Sequence, residues 1–396
     1  MRSLWMDPDE HHFPALEGDR ETDIAIIGAG FSGIGAALGA AGEGARAIVL
    51  ERQTVASGAS GRNAGFVLAG AAMSFAEARR RLGAEAAREI WRFSDRNNAW
   101  IAETIKESTI DCGYLRRGSM TIAADFDEWQ SLIGESAALR EAGIENCLVE
   151  AERLPRPFDQ LYVGGIYHPG NAELNPGALL RGLALQISRD ARVDVYETAP
   201  VHAIHEDAGA WLVRTAAGSV RAPLVILATN AWTSRFLPDI PIQPQRGEVI
   251  ASAPLGNVVV PFPMYGDRGF QYWRQTAEGR LVAGGWRNLD LEGEAADREE
   301  GFSKPVLSAI ESFVSRVAST RAKIEHRWIG IMGFTPDQLP LTGPVPERSG
   351  LYLSAGFSGH GVSLAPCCGR EVAREALGRP SSLPAAFSPG RTALPR

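Results

Sequence analysis

Short apolar runs without a single polar position alternate along the chain with amphipathic stretches of helical period. Ile24–Ile27 is wholly apolar, as a strand buried on both faces is. It passes through Gly28-Ala-Gly30-Phe31-Ser32-Gly33 into small, helix-compatible residues up to Leu38. Ala47–Leu50 repeats the apolar run ahead of Glu51 and Arg52, and Leu224–Leu227 repeats it ahead of Ala228-Thr229-Asn230. Over 74–107 the positions Phe75, Ala78, Leu82, Ile90, Trp91, Phe93, Trp100, Ile101 and Ile105 recur mostly at three- and four-residue steps, which predicts a helix. Further helices are predicted over 126–142, 176–187, 306–318 and 363–377; Asn175 caps the second of these and Pro176 is its first residue. Strands are predicted over 113–124, 162–167, 193–197, 201–205, 211–215, 219–222, 246–252, 270–274, 279–285 and 351–353, with hairpin turns at Asp207-Ala-Gly209 and Ala217-Gly218.

Wholly apolar strands feeding helices define an α/β fold of Rossmann type, with additional α+β elements. The segment over 241–325 changes character: its strand-like runs are broken by prolines and followed by an acidic stretch, as in a separate sheet-bearing domain. Residues 1–20 read as an irregular arm, and the prolines beyond 380 mark a weakly structured tail.

The glycines after the first strand carry chemistry. Gly28 permits a tight turn, Gly30 lets the backbone approach a pyrophosphate, and Gly33 lets helix and strand pack closely. The helix that follows offers unpaired N–H groups and a positive dipole end to phosphates. Glu51, 23 residues past Gly28, ends the next strand where a ribose hydroxyl needs an acceptor. Together they specify an adenine dinucleotide site. Gly58-Ala-Ser60-Gly61-Arg62-Asn63-Ala-Gly65 follows directly; a loop with so many exposed N–H groups suits a diphosphate or a flat cofactor ring. Near the other end, Gly359-His360-Gly361-Val362 precedes a helix, so several N–H groups converge where a reduced flavin ring would carry negative charge. His360 either faces a substrate or satisfies backbone groups of its turn.

Composition narrows the partners. The 396 residues are 45% hydrophobic and 22% charged, ordinary for a globular chain long enough for two domains. A net charge of −7 gives no reason to expect nucleic acid or an anionic membrane. The charge-free stretch from Ile24 to Gly42 approaches membrane-spanning length, but its glycines and acidic flank make it strand, loop and helix. Four cysteines (Cys112, Cys147, Cys367, Cys368) show neither metal-ligand spacing nor a disulfide framework and suit a reducing cytoplasm. The vicinal Cys367-Cys368 reads as two small buried residues opening the last helix.

At Gly28–Gly33 with Glu51, Gly58–Gly65, Leu227–Asn230, Thr335–Asp337 and Gly356–Gly361, the sequence resembles the flavin-dependent superfamily of D-amino acid oxidase, glycine oxidase and sarcosine oxidase. Within it, the chain is most similar to amine oxidases of the gamma-glutamylputrescine oxidase type. The resemblance covers nearly the whole chain, the Trp5 arm included. It implies FAD and two discontinuous domains: 1–73, 150–236 and 326–386 for FAD, 74–149 and 237–325 for substrate, with 387–396 a flexible tail. It places Glu51 on the adenosine ribose, the Val201 backbone near the adenine, and Ser60, Gly61, Arg62 and Asn63 along the diphosphate and flavin. Arg52, Ala228, Thr229 and Gly333 complete the expected cofactor residues, and no metal is expected.

The reaction it implies is hydride transfer from a C–H bond beside an amine to flavin N5, hydrolysis of the imine, and reoxidation by O2 or another acceptor. Departures from the family refine this. Gly330 stands where sarcosine oxidases attach flavin through a cysteine, which predicts non-covalent FAD. Met332 stands where glycine oxidase-like members carry a carboxylate-binding arginine; Ser363 and Val282 replace two lysines of sarcosine oxidases. The loss of these charges favours a primary or secondary amine over an amino acid, with Tyr272, Arg274, Met332 and His360 as pocket residues and a monomer or homodimer as the assembly. Alternatives are an N-methyl or D-amino acid oxidase that compensates with Arg62, Arg246 or Arg274, a flavin module of RNA modification, and a dinucleotide-binding protein without catalysis.

Overall fold

The computed structural model describes residues 2–6, 11–297, 300–319 and 322–391. The wholly apolar runs lie side by side in a six-stranded sheet ordered Leu341–Pro344, Leu351–Ala355, Leu224–Leu227, Ile24–Ile27, Ala47–Leu50, Val193–Tyr196; every pair is parallel except the first. Successive strand residues point to opposite faces, and each face has its own core. Ile24, Ile26 and Val49 pack under the helices Phe31–Gly42, Pro176–Ile187 and Ala365–Ala376. Ala25, Ile27, Ile48 and Leu50 pack against Trp211, Val213 and Val220 of a four-stranded sheet that includes Ala203–Asp207, Ala210–Thr215 and Gly218–Ala222. A sheet buried on both sides has no place for polar residues, hence the unbroken runs. Each isoleucine so buried contributes roughly 1.5–3 kcal/mol.

The second half is an eight-stranded sheet, in which Ile324–Phe334, Gln243–Pro254, Arg280–Gly285, Gln271–Gln275 and Met264–Gly266 run antiparallel in that order and continue into Ser119–Ala123, Gly164–His168 and Cys147–Glu150. The helix Lys304–Val317 lays Val306, Ile310, Phe313 and Val314 over Ile250, Trp273 and Leu281 on one face. The opposite face carries Val249, Val282 and Trp328 with Tyr272 and packs on Trp5 of the N-terminal arm.

Gly164–His168 and most of Ile324–Phe334, expected with the FAD segments, pair within the eight-stranded sheet. Other expectations are corrected. The helix over 74–107 is two, Phe75–Leu82 and Ala84–Glu107, broken at Gly83, whose φ of +90° suits glycine. The arm is anchored: Trp5 is buried and its ring meets Trp328 edge-on. The expected flexible tail over 387–396 begins with a fully buried Phe387 packed on Phe93, and Arg391 pairs with Asp337 at 2.8 Å; residues 392–396 lie outside the described residues. Cys367 and Cys368 are buried at the start of the last helix. No described helix is long and apolar enough to cross a membrane.

Arg246, expected as a possible carboxylate partner, lies on the helix-covered face of its strand, beside Glu248 at 3.4 Å and Glu294 at 3.9 Å, all three buried. Burial pushes the Glu248 carboxyl up to about 7 despite the Ser303 N–H that it accepts. The folded protein therefore keeps a proton there that the unfolded chain releases near the ordinary carboxylate value. Stability from this group is full below that value and is lost as pH rises to about 7. Urea midpoints at pH 5 and pH 8 should show Glu248→Gln gaining on the wild type as pH rises; a pH-independent difference would refute this.

Candidate active site

The Gly28–Gly33 turn fits the close approach that a dinucleotide needs. Gly28 has φ +104°, and a Cβ there would come within 2.7 Å of the Ala228 carbonyl oxygen. A Cβ on Gly33 would come within 1.8 Å of the Gly28 oxygen. Gly33 thus closes the turn onto the helix and does not itself line the cleft. Gly30 N-caps the helix that begins at Phe31, and the Phe31 N–H donates to Ser60 Oγ at 3.0 Å, joining the turn to the loop after the second strand. Ser32 Oγ donates to Ser354 Oγ at 2.6 Å, and Asn230 Oδ1 accepts from Gly356 N at 3.1 Å. Stretches more than 300 residues apart in sequence thereby meet around one elongated cleft. Glu51 forms its wall, accepting N–H groups from Ala29 and Gln53 at 2.9 Å; burial raises its carboxyl. The Arg52 guanidinium lies 3.7 Å over the Trp232 ring at that end.

The 58–66 loop is pinned from behind. Three consecutive carbonyls, of Gly61, Arg62 and Asn63, accept from Ser3 Oγ at 2.6 Å, Trp328 Nε1 at 2.9 Å and Trp5 Nε1 at 2.6 Å. Asn63 ties the inside of the loop, donating to Ala59 and Ser60 and accepting from Gly65 N. The anchoring role of Trp5 was not legible in the sequence, since a lone tryptophan in a polar arm has no periodic partner.

The cleft is lined by Gly28, Gly30, Phe31, Ser32, Glu51, Arg52, Ser60, Asn63, Val201, Ala228, Thr229, Gly333, Gly359, Gly361 and Val362 among the expected cofactor residues. The remaining expected ones sit elsewhere. Gly61 packs on the Ala56 carbonyl, and Arg62 reaches back to Ser57 O at 2.7 Å and Ile329 O at 3.0 Å.

A second cavity of about 590 Å³ opens between the eight-stranded sheet and the helices Ala84–Glu107 and Phe126–Glu141. It shares Ala59, Asn63, Met332, Ser358, Gly359 and Val362 with the cleft, so the two spaces meet there. Tyr272, Met332 and His360 line it, as does Tyr265, which the sequence did not single out. Burial pushes His360 down to about 4 and both phenols up, so all three are uncharged at neutral pH. His360 Nδ1 has no hydrogen-bond partner among the described residues.

Arg274 does not line this cavity. It shares a strand face with Tyr272 but falls two residues beyond the cavity, 4.9 Å from the Trp5 ring, donating to Leu174 O at 2.7 Å and facing Glu173 at 3.6 Å. Arg117 also pairs with Glu173. No cysteine lines either space among the described residues. Gly330, at the position of the covalent attachment in sarcosine oxidases, lines the second cavity over Arg62.

A turn that admits only glycine, an acidic strand end and an elongated cleft opening onto a second cavity define a dinucleotide-dependent oxidoreductase. Residues 23–375 match the family described as DAO, FAD dependent oxidoreductase, and the chain belongs to that family. It is 29% identical over 396 residues to a probable oxidoreductase OrdL of Haemophilus influenzae, covering 96% of this chain and 88% of the relative. It is 27% identical over 373 residues to the gamma-glutamylputrescine oxidoreductase of Escherichia coli, covering 91% and 85%. Its fold matches the crystal structure of glycine oxidase from Geobacillus kaustophilus with a TM-score of 0.81 at 22% identity, over 94% of this chain and 99% of that one. The chain is an FAD-dependent oxidoreductase.

Proposed function

We propose that this protein oxidises the C–N bond of a primary or secondary amine, and that the carbonyl product forms by hydrolysis of an imine. FAD, when bound, supplies the two-electron acceptor at its ring, and O2 or another oxidant takes the electrons onward. The observation that carries the reading is the junction of cleft and cavity at Met332, Gly359 and Val362, beside Tyr272 and His360. The residues named at that junction are uncharged, which favours the neutral amine, the form from which a hydride can leave. Gly30, Ser60 and Asn63 would hold the diphosphate, Glu51 the ribose, and the turn from Gly359 to Val362 the ring. Both named relatives that act on amines, the gamma-glutamylputrescine oxidoreductase and glycine oxidase, support the substrate class. Gly330, at the position of the attaching cysteine of sarcosine oxidases, lines the second cavity and supports non-covalent FAD, and a net charge of −7 speaks against RNA as substrate.

Anaerobic mixing of the yellow holoprotein with a panel of amines tests this. At least one amine should bleach the flavin absorbance with saturable kinetics. Bleaching by none would refute the reading.

A further inference from the structure

The second cavity is lined by five charged side chains, and four of them are occupied. Glu128 accepts from Ala124 N at 2.8 Å and Arg268 N at 2.7 Å; Glu135 accepts from Phe75 N and Ala76 N, both at 2.7 Å. Arg62 is turned back onto Ser57 and Ile329. Arg268 lies largely in solvent, 3.9 Å from Asp125. The fifth, Arg287, is different. Its guanidinium sits 4.7 Å from the Phe270 ring and 4.7 Å from the Phe334 ring, both of which also line the cavity. One nitrogen, Nη1, donates to Gln245 Oε1 at 3.1 Å. Nε and Nη2, which share one edge of the guanidinium plane, have no hydrogen-bond partner among the described residues.

Its placement is built in. Arg287 follows Gly284-Gly285 at the end of Arg280–Gly285, and Trp286 just before it holds φ +55°. The neighbouring turn that presents Phe270 holds Asp267 and Arg268 at φ +49° and +52°. Non-glycine residues kept in this region persist only where the surroundings over-determine them. Gln245 pairs in register with Met332, so the guanidinium is tied to the residue beside the junction of the two spaces. A half-desolvated guanidinium with a free side-on edge matches a carboxylate, whose two oxygens take two parallel N–H bonds.

We propose that Arg287 binds a carboxylate of the substrate, so that the natural substrate is an amine that carries a carboxylate and not a simple alkylamine. This rests on the amine reading above. It supplies from the 286–289 loop the charge that position 332, a methionine here, does not supply.

The test uses holoenzyme and pairs of compounds that differ by one carboxylate: methylamine and glycine, n-propylamine and 4-aminobutanoate, pyrrolidine and proline. For at least one pair, wild-type kcat/KM for anaerobic flavin reduction should favour the carboxylated member. In Arg287→Met that preference should fall by about 10- to 100-fold, chiefly through KM, and Arg287→Lys should restore part of it. A second readout needs no turnover: benzoate should perturb the flavin absorbance of the oxidised wild type, benzamide should not, and the benzoate Kd should rise at least tenfold in Arg287→Met. Preference for the uncharged member in every pair, or an unchanged preference and benzoate Kd in Arg287→Met, overturns the inference and leaves the amine reading standing. Bleaching by no compound of either kind overturns both.

Discussion

Gly33→Ala protein should be colourless. The added methyl would fall 1.8 Å from the Gly28 carbonyl oxygen, a backbone atom that can move only if the 28–33 turn opens. That turn also sets the Phe31 N–H on Ser60 Oγ, so displacing it pulls the helix N-terminus and the 58–66 loop out of register together. Losing two convergent sets of N–H donors to the diphosphate should weaken FAD by more than about 100-fold, close to 3 kcal/mol. Gly42→Ala is the control: it lies in the same helix, and its Cβ would meet nothing within 4 Å. Flavin content per chain after dialysis, with folded content from circular dichroism, reads the difference. A yellow Gly33→Ala protein that is as tightly loaded as the control would show that the turn does not contact the cofactor.

Arg274→Met should cost stability and leave substrate choice alone. Arg274 and Glu173 are both almost fully buried, and the arginine closes over Trp5 and ties down the Leu174 carbonyl. Removing it leaves Glu173 with only Arg117 as a charged partner among the described residues, and breaking a buried pair in this way typically costs about 3–5 kcal/mol. Chemical denaturation should show the midpoint of Arg274→Met well below that of the wild type. The alternative expectation from sequence, an arginine that grips a substrate carboxylate, makes the opposite forecast: unchanged stability and a selectively raised KM for carboxylated substrates.

The contrast between these two residues shows what the sequence made legible. Gly28, Gly30 and Gly33, Glu51 and the apolar strands could be read because local geometry demands them: a turn admits only glycine, and a doubly covered strand admits only apolar residues. The cofactor half was therefore visible before any coordinates. The substrate half depends on where a strand face ends. Tyr272 and Arg274 alternate correctly onto one face, yet 4.9 Å from Trp5 is a different environment from the cavity, and no one-dimensional pattern marks the boundary. Arg287 was missed for the same reason: it follows a glycine pair and Trp286 in a stretch that reads as loop, and its aromatic neighbours Phe270 and Phe334 are 17 and 47 positions away. Trp5 and Phe387, at the two ends of the chain, were undervalued because burial by distant partners leaves no local periodicity.

The account depends on one flavin dinucleotide spanning the cleft with its ring at the far end from Glu51. A crystal structure of the yellow holoprotein tests that most directly. It should show FAD with its ribose at Glu51, its diphosphate over Gly30 and Ser60, and its tricyclic ring in van der Waals contact with Met332 and the Gly359–Val362 turn, facing Tyr272. Density with the ring at the Arg52–Trp232 end, or flavin bound outside this cleft, would contradict it.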